Sequence, residues 1–224
     1  MEVNRCTTII LILFLLAVKS LSSQIVADTF YIPNYPIPEI YYTDLAPELP
    51  ENVWNHKLKY FPPWFYDQFS LPNCGQASAV YNCLSYEFNR ALNREADSST
   101  IFSPTFSYNF LSEGNGWFGV SSFNSWNLIK SQGNPSVEIF NEIYPNDSTY
   151  LSDEARGKYW MSGYDNYYYS FQNRISDYYS LNVSTDEDLK TLKHYFDDHL
   201  RGDSTGGTVI FYSKQDEILG YDIF

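Results

Sequence analysis

Apolar positions along this chain fall into a few separate patterns. The clearest runs through CGQASAVYNCLSYEFNRALNRE, where Ala77, Val80, Tyr81, Leu84, Phe88, Ala91 and Leu92 recur at helical spacing. They form one wide stripe, as expected for a helix buried in the middle of a domain. Asn73 stands at its N-cap and Gln76 three residues later, which predicts a capping box. A shorter helix fits Ser121 to Gln132, with Phe123, Trp126, Leu128 and Ile129 inward and Gly133 ending it. A third starts at Thr185, with Asp186, Glu187 and Asp188 in its first turn. Leu189, Leu192, Phe196 and Leu200 are its predicted buried face, and Gly202 follows its end. His194 is expected to point to solvent. Thr208 to Tyr212 (TVIFY) reads as a strand. The Tyr-dense stretch from Tyr164 to Tyr179 fits no element cleanly.

The ends of the pattern differ. Residues 7–18 (TTIILILFLLAV) are an apolar run after a short polar start, followed by small residues near Ser22 and Ser23. This is the three-part layout of a secretory signal, and the run is short for a membrane span, which needs roughly 20 apolar residues. Residues 1–23 are therefore expected to be removed and the protein secreted. Residues 24–47 are rich in Pro and Tyr and read as an extended lead-in.

Composition narrows the class. The 224 residues include 21 Tyr and 16 Phe, too much aromatic surface for a disordered chain. The formal net charge of -13 offers no basic footprint for nucleic acid. No spacing suits a metal, and no cofactor motif appears. Asn146 and Asn182 head glycosylation sequons.

Two cysteines follow residue 23. Nine residues along one helix put Cys74 and Cys83 about 13 Å apart, beyond disulfide reach. Cys74 lies in the first turn, where unpaired N–H groups and the helix dipole favour a thiolate. Cys83 is mid-helix and reads as core packing. Gln68, six residues before Cys74, is positioned to donate to an oxyanion forming over the thiol. The plain alternatives are a buried structural thiol and an ordinary loop glutamine.

Gln68-Phe69-Ser70-Leu71-Pro72-Asn73-Cys74 resembles the Gln-to-Cys stretch of papain-like cysteine peptidases. Leu49-Pro50-Glu51-Asn52-Val53-Trp54 is similar to the family's mature start. Cys74-Gly75-Gln76-Ala77-Ser78 resembles its secreted bacterial members. Pro104 to Leu111, Gly119 to Phe123, Trp160 to Asp165, Asn173-Arg174-Ile175 and the helix ending Asp198-His199-Leu200 carry further likeness. The resemblance implies an α+β, papain-like two-lobe fold. A helical lobe with a central Cys-bearing helix would span residues 48–155, and an incomplete antiparallel β lobe residues 156–224. It implies Cys74 as nucleophile and Gln68 in the oxyanion hole, with peptide or protein as substrate. Gly116 and Gly119, in the loop Gly114–Gly119, would line the substrate cleft.

The family also uses a histidine and then an asparagine roughly 130–150 residues past the cysteine. No histidine lies there in this chain. His199 reads as a structural histidine on an amphipathic helix, and His56 as part of the lead-in. The expectation is an amino-terminal portion or shortened homologue with weak or no activity. The rival reading is a non-enzymatic secreted module whose aromatic side chains bind glycan or peptide.

Overall fold

The computed structural model describes residues 37–39, 49–64, 66, 68, 72–112, 119–140, 164–198 and 206–211. Its centre is one long helix, α1, made of three consecutive stretches. Cys74–Gln76 is α-helical, Ala77–Leu84 is π-helical and Ser85–Ala91 is α-helical again. Around it lie α2 (Pro104–Leu111), α3 (Ser122–Gln132), α4 (Tyr164–Ser170) and α5 (Asp186–Asp198). A 3-10 turn at Asn55–Lys57 precedes them.

The local chemistry explains where these helices start and stop. The Ser121 hydroxyl accepts from the Phe123 N–H at 3.3 Å and opens α3. Gly133 ends it at φ +76°, its N–H bonded to Ile129 O at 2.9 Å. Helix α2 begins with Ser103 accepting from Phe106 N–H, and Pro104 occupies the first helical position. At α5 the expected cap forms reciprocally. Asp188 N–H donates to Thr185 Oγ1 at 3.2 Å, and Thr185 N–H donates to Asp188 Oδ2 at 3.0 Å.

The core gathers Ala79, Val80 and Leu84 of α1 with Phe102, Trp126 and Ile129. Ile175, Tyr178 and Ile210 pack against that cluster from the later part of the chain. Tyr86, fully buried, donates its hydroxyl to Gly206 O. The carboxylate of Glu87 accepts from Thr208 N–H at 2.8 Å and from Arg90 Nε at 3.2 Å. The described later segments thus pack against α1.

This overturns the expected α+β, two-lobe architecture with an antiparallel β lobe. Among the described residues there is no sheet, only isolated bridges at Glu39 with Ser180 and Phe102 with Ser136. The predicted strand shows why. Residues 208–211 form no strand and pair with none among the described residues, and the Thr208 N–H is taken by the Glu87 carboxylate. Their β-branched pattern marks a chain lying over α1, and Tyr212 lies outside the described residues.

The stripe predicted for α1 is also corrected. Val80, Tyr81 and Leu84 are buried, but Leu92 is 51% exposed while Ala79 and Tyr86 are fully buried. The i→i+5 bonding of the π stretch shifts the helical phase, so a stripe counted at regular spacing drifts off the buried face. On α5 the buried side chains are Thr191 and His194, not Leu189, which is 39% exposed. His194 therefore faces the interior, against expectation. His199, Leu200 and Gly202 lie outside the described residues, as do residues 1–23.

Gly133 supplies a direct test of this packing. A Cβ there would run into the Ser170 carbonyl, and its φ suits glycine alone. Gly133→Ala should destabilise the fold by more than about 2 kcal/mol. Thermal unfolding by circular dichroism measures this, and an unchanged midpoint would refute the α3–α4 contact.

Candidate active site

Two buried amides hold the start of α1. The expected capping box is not made: Asn73 gives no side-chain cap bond. Its Nδ2 instead donates to the Tyr66 hydroxyl at 2.8 Å. Gln76 Nε2 donates to Val120 O at 2.9 Å and to Ser125 Oγ at 3.0 Å. Both side chains are fully buried, so they bond across elements instead of to their own helix end. Gly75 lets this turn sit close to the same loop, since a Cβ there would meet Val120 O at 3.3 Å. The first turn of α1 is thereby fastened to α3 and to the segment before it.

Cys74 is the first residue of that anchored turn and is exposed. It opens onto a cavity of about 620 Å³. Gln68, half-buried, lines the same cavity, so the two residues paired by spacing share one wall-to-wall space. Ala77, Ser78 and Asn82 continue the helix side, and Pro62, Pro63, Trp64 and Tyr66 form the facing side. His56, Lys57 and Lys59 line it as well, with Glu95 the acid among the described lining residues.

His56 is the residue that sequence reasoning missed. By sequence it precedes the cysteine and reads as part of the lead-in. The 3-10 turn that bears it is held by Asn55, whose Nδ2 donates to Phe196 O at 2.7 Å and Gly207 O at 2.9 Å. Pro62 and Pro63 follow it and line the same cavity as Cys74. That double proline was the available sign of a turn between the His56 segment and the helix. The His56 ring stands edge-on to Trp54, with centroids 5.7 Å apart.

Two other residues were expected in the cleft. Gly116 lies outside the described residues. Gly119 is half-buried beside Val120, behind the first turn of α1, and is not part of the lining.

Cys83 is chemically distinct from Cys74. Its Sγ lies 3.6 Å from Thr208 O and 3.5 Å from Thr208 Oγ1. Burial, with a smaller push from the Glu87 carboxylate, raises its thiol from 9.0 to about 12. The two thiols are free of each other. Among the described residues, no group of His, Cys, Asp or Glu could hold a metal, and no helix is long and apolar enough to cross a membrane. No family model, curated protein or solved structure matches this chain.

The thiol contrast predicts selective chemistry. Iodoacetamide at neutral pH should modify Cys74 while leaving Cys83 at less than about a tenth of that rate, as peptide mapping reads. The raised Cys83 value also has a sign. The folded protein keeps that proton while the unfolded chain releases it, so stability should fall as pH rises from 9 toward 12. Cys83→Ala should flatten this alkaline decline; an equal decline in both proteins would rule out Cys83 as its source.

Proposed function

We propose that this chain carries a cysteine-nucleophile site that cleaves peptide bonds slowly through a thioester on Cys74. The observation that supports it best is an exposed thiol on an anchored helix start, sharing a cleft with Gln68. The resemblance of these residues to papain-like peptidases agrees in chemistry. The overall architecture does not follow that family's, so the proposal concerns the site alone.

In the proposed reaction the Cys74 thiolate attacks the scissile carbonyl carbon. The carbonyl oxygen takes the negative charge, and the Gln68 amide together with the Cys74 N–H donates to it. The C–N bond breaks, the amine leaves with a proton, and water then hydrolyses the thioester. His56 is the cleft imidazole that could take and return the proton. Its described neighbour is an indole ring rather than a carboxylate or amide, so no hydrogen-bonding group among the described residues orients it. Slow turnover follows from that loose base. The apolar run at residues 7–18 supports export, with a mature form beginning near residue 24 that the mass of the exported chain checks.

A second reading rests on the aromatic surface. Tyr168, Tyr169, Phe171 and Tyr179 are each at least 45% exposed, a surface suited to stacking against glycan or peptide without catalysis. Hydrolysis of an activated ester and of a mixed fluorogenic peptide library separates the two. The peptidase reading predicts that Cys74→Ala abolishes turnover, that Gln68→Ala lowers kcat by about 10- to 100-fold, and that His56→Gln lowers it further than it changes KM. Activity that survives Cys74→Ala would end this reading.

A further inference from the structure

We infer that the Cys74 cleft selects acidic peptide segments. The inference rests on the proposed peptidase site and adds its substrate class. The chain as a whole is strongly anionic, at -13. Four of its eight described Lys and Arg side chains pair with a carboxylate: Arg90 with Glu87, Arg94 with Asp97, Lys130 with Asp177 and Lys190 with Glu187. The two lysines of the cleft are among the other four. Lys57 Nζ sits 4.1 Å from the centroid of the Trp54 ring, and Lys59 Nζ donates to Asn93 O at 3.4 Å. Neither contact supplies a negative charge, and neither lysine has a carboxylate partner among the described residues.

Lys57 and Lys59 both line the cavity that Cys74 opens onto, against the single described lining carboxylate of Glu95. The first turn of α1 adds the positive end of a helix at the same place. A locally cationic cleft on an acidic protein focuses anions into itself while the rest of the surface repels them. The facing wall is aromatic and proline-lined, with Phe61, Trp64 and Tyr66. That wall suits an extended chain rather than a bare inorganic anion. The occupant is thus a peptide carrying Asp or Glu beside an apolar residue. Exposed charges at this range act within a screening length of about 8 Å at physiological salt, so the preference is modest and salt-sensitive.

Two measurements on the full chain test this. The first compares alkylation of Cys74 by iodoacetate and by iodoacetamide, each normalised to its rate with a neutral cysteine amide. The ratio cancels the thiolate population and reads only the attraction of the anionic reagent. It should exceed one by about threefold at low salt, approach one near 1 M salt, and drop to one or below in Lys57→Gln/Lys59→Gln. A wild-type ratio at or below one, or a ratio that the double substitution leaves in place, would overturn the inference. The second titrates Cys74→Ala with an acidic, aromatic-containing peptide and with its lysine-substituted counterpart, following tryptophan fluorescence. The acidic peptide should bind at least about threefold tighter, and the lysine substitutions should erase the difference; equal affinities would overturn the inference. Inertness of Cys74 to both reagents would defeat the peptidase reading, and the peptide titration would still decide the cleft's charge preference.

Discussion

The buried amide of Gln76 is the interaction on which the site depends. It spans from α1 to Val120 O and Ser125 Oγ, and it does so with no exposure to water. A neutral hydrogen bond contributes only about 1 kcal/mol net. Leaving such donors unpaired in the interior costs more, and this asymmetry is what fixes the register of α1 against α3. Cys74 lies two residues before Gln76, about 200° round the helix, so the two side chains leave the helix on opposite sides. The exposed thiol thus sits opposite the buried Nε2 that holds the turn.

The same principle organises the far side of α1. Glu87 binds Thr208 N–H, and Tyr86 binds Gly206 O, so a segment distant in sequence is tied to the helix through polar atoms. Cys83 is enclosed by that segment and Cys74 is not. One helix therefore carries two thiols of different character, one half-buried beside Thr208 and one at the mouth of a cleft. The π-helical stretch between them sets their relative orientation, and π stretches often accompany functional sites.

Much of the helical content was legible, because caps and breakers act locally. Ser121, Thr185 and Gly133 behave as their chemistry dictates. Helix α2 went unread, although Ser103 followed by Pro104 is a strong start signal. The β lobe was misjudged because the β-branched residues Thr208, Val209 and Ile210 also fit a half-buried segment outside any sheet, and sequence alone does not say what the Thr208 N–H meets. The Asn73/Gln76 box failed for a related reason: burial makes cross-element bonds more valuable than a local cap. At the site, the six-residue spacing of Gln68 and Cys74 was readable, and both line one cavity. That His56, Lys57 and Lys59 line the same cavity is a matter of tertiary path, which local sequence does not state.

The central claim is that Cys74 acts as an acyl acceptor, and trapping the acyl group tests it most directly. The protein is mixed with an activated acyl ester, quenched in acid within seconds and mapped by mass spectrometry. The account predicts one acyl group on the Cys74 peptide, released by hydroxylamine and absent from the Cys83 peptide. An acyl group found on Cys83, or none on Cys74 while ester is consumed, would contradict it.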